Sequence, residues 1–180
     1  MITTIRRGNA RDAEAVAALH AASWRSAYTG IVPDSALGDG LADERREIWE
    51  LRLSVDYGAP EATPELLIAE QAGDTVGFAY LVPMPDGRVL LDNLHVRPGL
   101  TGAGIGGDLL EAACAHVARQ HPGADLYLEV LQANTRAIAF YERAGGRRTA
   151  AGRGVFPGGH TLPEYEYTWS AVAPAGQSWS

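Results

Sequence analysis

Val89-Leu90-Leu91-Asp92-Asn93-Leu94-His95-Val96-Arg97-Pro98-Gly99-Leu100-Thr101-Gly102-Ala103-Gly104-Ile105-Gly106-Gly107-Asp108-Leu109-Leu110 is the stretch that decides how this chain is read. Its first part, Val89 to Val96, is a short apolar run of strand length. Arg97 to Thr101 is a loop, Gly102 to Gly107 a glycine-rich turn, and a helix pattern begins near Asp108. A strand, a glycine turn and a helix N-terminus in that order build an anion site. Glycine lets the backbone approach a ligand closely, and the first N–H groups of a helix have no partner inside it. The helix dipole adds about half a positive charge at that end, so a phosphate or pyrophosphate is the expected guest.

Toward the N-terminus the pattern is an antiparallel meander. Leu66 to Gln71 and Thr75 to Val82 read as strands joined by Ala72-Gly73-Asp74, which is hairpin chemistry, and Pro83 to Gly87 turns into the strand Arg88 to Val96. Tyr57 to Pro64 is a connection rich in breakers, preceded by a helix from Asp43 through Leu53 with Ile48, Trp49, Leu51 and Leu53 apolar. Gly30 to Gly40 is a loop with one helical turn. Asn9 caps a helix over Ala10 to Ser26 with Asp12 and Glu14 in its first turn, and Val16, Leu19, His20 and Ser23 share one face. Trp24, Arg25 and Tyr28 close that helix, and the aromatics either seal the core or line a pocket for an amine. Thr3 to Arg7 is a short edge strand.

Toward the C-terminus the helix runs from about Gly106 to Gln120, with Leu109, Leu110, Ala113 and Val117 as its stripe and Cys114 beside them as a small core residue. Asp125 to Leu131 is a strand. Because a helix joins it to Val89–Val96, the two run parallel. Gln132-Ala133-Asn134 turns into a short helix, Thr135 to Ala144, closed by Gly145-Gly146; Arg147 to Ala151 and Pro163 to Ser170 are a last pair of strands. The expected fold is α/β of the α+β kind: a mixed, largely antiparallel twisted sheet of six to seven strands with about four helices. One domain is expected over 3–170, with a frayed tail over 171–180.

Composition narrows the function. The chain has 180 residues and 46% apolar residues, enough for one sizeable core. No apolar run reaches the roughly 20 residues of a membrane span. Met1 to Arg7 lacks the apolar stretch of a signal peptide, and the single cysteine excludes an intrachain disulfide, so a cytoplasmic protein is expected. The formal net charge of −7 argues against nucleic acid as a partner. The five histidines have no metal-ligand spacing, so no metal is expected.

Gly102, Gly104 and Gly107 fit the dinucleotide fingerprint G-x-G-x-x-G, with Asp125 at about the distance of its ribose partner. The context is against it. Three strands precede the motif instead of one, and too few residues follow for the second half of a doubly wound sheet. A P-loop is excluded because no Gly-Lys-Ser/Thr is present. A second motif fits better: Asn134-Thr135-Arg136-Ala137-Ile138-Ala139-Phe140-Tyr141-Glu142-Arg143-Ala144-Gly145, or N-x-x-A-x-x-F-Y-x-x-x-G. Together with Leu94-His95-Val96-x-Pro98 and the G-x-G-I-G turn, it resembles the GNAT superfamily of acyl-CoA-dependent N-acyltransferases.

That resemblance implies an N-acetyltransferase with acetyl-CoA as co-substrate and a small-molecule or peptide amine as acceptor, by direct transfer in a ternary complex. It implies that the strand carrying Leu94, His95 and Val96 splays from Asp125–Leu131 and that the pantetheine arm lies in the gap. The pyrophosphate then takes the N–H groups of Thr101, Gly102, Ala103, Gly104, Ile105, Gly106 and Gly107. Asn134 bonds the arm from the far side, or caps the next helix, or both; Ala137 and Phe140 complete that wall. Tyr141 is the proton donor to the departing thiolate. The base for the acceptor ammonium is left open among Asp92, His95 and Glu129. Asp92 shares strand parity with Leu90, Leu94 and Val96, and His95 with Val89, Leu91 and Asn93, as long as the strand is regular. Trp24, Tyr28 and Asn93 are the substrate-side residues. Homodimers are common in the family, although the residues themselves carry no sign of one. Two departures stand out: Thr101 replaces the usual Arg or Gln, and Gly146 replaces the usual aromatic after Gly145. The alternative is a catalytically silent acyl-CoA-binding module of the same fold.

Overall fold

The meander read at 66–96 is the middle of a seven-stranded sheet. A computed structural model describes residues 2–156 and 160–171 of the chain. The strands are β1 (Thr4–Arg7), β2 (Glu65–Gln71), β3 (Asp74–Pro83), β4 (Val89–Val96), β5 (Leu126–Leu131), β6 (Arg147–Phe156) and β7 (His160–Trp169). They lie in the order β1-β2-β3-β4-β5-β7-β6, with β4–β5 the parallel pair and the others antiparallel. The α-helices are α1 (Ala13–Tyr28), α2 (Leu41–Ser54), α3 (Ile105–Gln120) and α4 (Thr135–Arg143). The expected fold class is the one found. No helix among the described residues is long and apolar enough to cross a membrane. Beyond Ala171, the expected tail lies outside the described residues.

Each face of the sheet carries its own core. On one, α3 sets Leu109, Ala113 and Val117 against Leu67, Ala79, Leu81, Leu91, Leu126 and Leu128. On the other, Val16 of α1 and Trp49 of α2 pack on Leu66, Ile68, Phe78 and Tyr80. Trp49 and Phe78 are wholly buried, each worth about 1.5–3 kcal/mol of transfer free energy. The hairpin read at 72–74 is a two-residue turn, with both Ala72 and Gly73 at positive φ, the arrangement that matches strand twist.

Three expectations are corrected. Asn9 caps a 3₁₀ turn, Ala10–Asp12, and the α-helix starts only at Ala13. Asp12 belongs to that 3₁₀ turn and not to the first turn of the α-helix; it is buried, and both its oxygens take Arg6, at 2.6 and 3.0 Å. Leu51, grouped with the apolar face of its helix, is 64% exposed. The last two strands are longer than expected, because Ala150, Gly152 and Gly154 carry little β signal while their partners on β7 hold them in register. Pro163 is tolerated inside β7 because β5 ends at the Leu131↔Glu164 pair; beyond it that side uses only the Pro163 carbonyl, which accepts from Gln132 N–H at 3.0 Å, and needs no N–H from the proline.

Two irregularities in β4 shape the space around it. Tyr80 pairs with Asn93 but Leu81 with Leu91, so Asp92 is an extra residue. This β-bulge overturns the regular parity assumed from the sequence. Val89 and Leu91 face α3, whereas Asn93 and His95 lie on the α1–α2 side with their partners Tyr80 and Phe78. Then β4 and β5 pair only through Val89↔Leu126 and Leu90↔Tyr127, and the strands diverge beyond that point.

Candidate active site

The divergence of β4 from β5 opens a wedge between two central strands, and backbone groups on its walls are left without a ladder partner. The glycine turn stands at the end of β4. Gly102 and Gly104 have φ of +91° and +87°, values that a side chain would strain, and Gly104 is the N-cap of α3. Asp108 N–H donates to the Gly104 carbonyl at 3.1 Å. The N–H groups of Gly102, Gly104, Ile105, Gly106 and Gly107 donate to no backbone carbonyl among the described residues. This is a cluster of free donors at the positive end of a sixteen-residue helix. Arg97 is turned away from it, toward the Thr75 carbonyl and Asp74, so with Thr101 in place of a cation the main chain supplies the donors.

The opposite wall is the start of α4. Asn134 is its N-cap, accepting from Ala137 N–H at 3.2 Å. Phe140 reaches α3, where a side-chain carbon at Gly106 would come within 3.5 Å of its ring and 3.7 Å of Val96. Phe140 therefore ties α4 to the turn and to β4. Tyr28, the last residue of α1, stands close enough to Tyr141 to bear on its surroundings. Burial, and then the Tyr28 phenol, push the Tyr141 phenol above its ordinary value. Burial and Glu164 raise Tyr28, while the Asn134 side chain favours its ionised form. Tyr28 meets Asn134 and Tyr141 at one place, although over a hundred residues separate it from either in the chain.

The residues of β4 divide differently from the expectation. The Asp92 carboxylate is engaged by Arg52 at 2.7 Å and by the Asn93 amide at 2.6 Å, so the charge of Asp92 and the amide of buried Asn93 are spent on each other and on α2. The His95 ring lies against α1, its Nδ1 2.9 Å from Ser23 Oγ and its ring 4.6 Å from that of His20. His20 Nδ1 accepts from Trp49 Nε1 at 3.0 Å, which leaves the proton of the neutral ring on Nε2, buried without a partner. Burial, then His95 and Arg45, depress His20 to about 2; burial, then Arg45, depress His95 to about 4. Trp24 is enclosed by His20, Tyr28 and the Arg45 guanidinium, 4.6 Å from its ring centre. It closes the helix pair, while Tyr28 alone of the two reaches Tyr141.

On the same side of β5 and β7, Glu129 is exposed and stands opposite Glu166, with Glu164 next along the strand. Burial and the charge of Glu129 raise the Glu164 carboxyl. Cys114 lies in the α3 layer, its thiol pushed up to about 11 by burial, so it stays protonated and offers no nucleophile at neutral pH. Sequence reasoning missed Tyr167 and Trp169 of β7, which contact Tyr141 at ring separations of 6.3 and 5.9 Å. The alternation Glu164-Tyr165-Glu166-Tyr167-Thr168-Trp169 was the available signal, since a period of two puts all three aromatics on the face toward α4.

Comparison with known proteins gives concordant findings. The family model described as "Acetyltransferase (GNAT) family" matches residues 21–146. A protein of Mycobacterium tuberculosis named "Probable N-acetyltransferase Rv2775" is 32% identical over 146 residues, 77% of this chain and 76% of that one. The spermine/spermidine N(1)-acetyltransferase of Bacillus subtilis is 34% identical over 80 residues, 41% of this chain, and the match spans about half of that relative, 53%. Among solved structures, the PaiA N-acetyltransferase from Thermoplasma acidophilum, in complex with coenzyme A, superposes with a TM-score of 0.74 at 19% identity, covering 94% of this chain and 99% of that one.

Proposed function

The chain belongs to the GNAT acetyltransferase family, and from that premise we propose that it moves an acetyl group from acetyl-CoA to a primary amine, directly and within a ternary complex. The observation that carries this reading is the wedge between β4 and β5 opening onto the free amides of Gly102 and of 104–107. A pyrophosphate suits those amides, and the amides of a pantetheine arm suit the unpaired edge of β4 at Leu94 to Val96. Asn134 holds the arm from the other side while its oxygen caps α4. The coenzyme A bound in the Thermoplasma structure speaks for the same donor here.

Acetyl-CoA supplies a thioester carbonyl and a thiolate leaving group. The residues of the chain do the rest. Glu129, directly or through a water molecule, takes one proton from the acceptor ammonium, and the free amine attacks the carbonyl carbon. An N–H of the splayed β4 edge faces the oxyanion. As the C–S bond breaks, Tyr141 donates to the sulfur; the proton that the new amide nitrogen loses makes good the phenol or leaves to solvent. With Cys114 held protonated, an acyl-enzyme has no supporting group. The acidic side formed by Glu129 and Glu164 suits a cationic acceptor, and the name of the Bacillus relative makes polyamines the first to try.

Two measurements test this. Calorimetry is expected to give a Kd in the micromolar range for coenzyme A and acetyl-CoA, about −8 kcal/mol, and no heat with NAD; the reverse pattern overturns the reading. In a thiol-release assay with an amine panel, Glu129→Gln is expected to lower kcat/KM by about tenfold or more, and Asp92→Asn by about twofold or less, since the Asp92 charge is already taken by Arg52. Equal losses in the two variants would remove the assignment of the base to Glu129.

A further inference from the structure

Tyr141 needs an aim, and α4 by itself gives it little. The helix has nine residues, none of them fully buried. What grips its end is β7. The Trp169 indole N–H donates to the Ala144 carbonyl at 2.8 Å. Its six-membered ring fills the space that a side chain at 146 would take: a Cβ there would lie 2.7 Å from Trp169 Cζ2, 3.1 Å from Cη2 and 2.9 Å from the Tyr141 carbonyl oxygen. Gly146 N–H in turn donates to that same Tyr141 carbonyl, at 2.9 Å. The indole then stands edge-on to the Tyr141 ring, the planes 80° apart. Two residues earlier on the same face, the Tyr167 hydroxyl donates to Glu142 Oε1 at 2.7 Å. Positions 142, 144 and 146, which flank Tyr141 on its C-terminal side, are thus fastened to one strand.

We infer that Trp169 is a positioning residue for acyl transfer. It reaches over Gly146 to hold the end of α4 and the edge of the Tyr141 ring, so that the phenol has one orientation. The aromatic that the sequence lacks after Gly145 is supplied from β7. A displacement of about 1 Å at a reacting group costs about a hundredfold in rate at the extreme, so a loosened Tyr141 registers in turnover before it registers in binding. The inference rests on the reading of Tyr141 as the proton donor.

The test is a double-mutant cycle, read in the full chain well below its melting temperature. Trp169→Leu is expected to lower kcat about tenfold while KM for acetyl-CoA changes less than about twofold. In a Tyr141→Phe background the same change is expected to cost nothing further, because there is no phenol left to aim. Should Trp169→Leu fail to fold, Trp169→Phe, which keeps a ring but loses the hydrogen bond to Ala144, is expected to fall about threefold in the first background and not in the second. A loss of the same size in both backgrounds, or no loss in either, overturns the inference while Tyr141→Phe still tells whether the donor reading holds. If Tyr141→Phe itself changes nothing, that reading fails first and takes the inference with it.

Discussion

Replacing Tyr141 with phenylalanine is expected to lower kcat by about tenfold or more and to leave the affinity for acetyl-CoA within about twofold. Phenylalanine keeps the ring against Trp169 and Tyr167, so the packing at the end of α4 is preserved and only the hydroxyl is lost. That hydroxyl sits where burial and Tyr28 hold its proton on, above the ordinary phenol value. Transfer of the proton to a free thiolate near pKa ~8.5 is uphill from such a phenol. The donation therefore begins as a hydrogen bond that strengthens as charge gathers on sulfur, an interaction realised in the transition state and absent from ground-state binding, and the proton passes across only as the one leaving the amide nitrogen replaces it. The same burial means that ionisation of Tyr141 produces no alkaline limb in the rate below about pH 10. Thiol-release kinetics with calorimetry on both proteins check this, and a turnover number equal to that of the parent removes the role.

The second large effect is a loss of stability in mild acid. His20 of α1 and His95 of β4 lie between the sheet and the helix pair, their rings packed against each other and against Phe78, with Arg45 and Arg52 of α2 the charges that face them. In the folded protein they take a proton only near pH 2 and pH 4, whereas unfolded histidine does so near 6.5. Below about pH 6.5 the unfolded chain binds more protons than the folded one. The stability of the neutral pair is thus complete above about pH 6.5 and drains as pH falls from there toward 4. Between pH 7 and 5 the loss is about 2 kcal/mol for each ring, enough to lower Tm by roughly 8–15 °C for the two. His116, also depressed by burial, adds in the same direction. Asp12, held low by Arg6, loses its contribution only at more acid pH, outside this window. Thermal melts from pH 7 to 5 are expected to be steep for the parent and shallower for His20→Gln with His95→Gln. A parent Tm that stays level across the window contradicts the account.

Legibility from the sequence followed distance along the chain. The glycine turn, the helix after it and the N-x-x-A-x-x-F-Y helix are each written in one continuous segment, and each stands where it was read. The hairpin at Ala72-Gly73 was equally local. The bulge at Asp92 was not, because it exists only as a mismatch between β4 and β3, and assuming a regular strand put His95 and Asn93 on the face of Val89 and Leu91. The offer of Asp92 as a base suffered likewise, since its partner Arg52 lies forty residues away on another helix.

From the amino-acid order alone came the family, the class of fold, the turn built for an anion and the tyrosine worth testing, because short-range periodicity and a few fixed spacings encode them. The tertiary structure decided which way each side chain of β4 points, which carboxylate remains free, and that an indole from β7, Trp169, takes the room left by Gly146. Those outcomes depend on contacts between segments far apart in the chain, and the register, packing volume and burial that set them arise only when the segments are brought together.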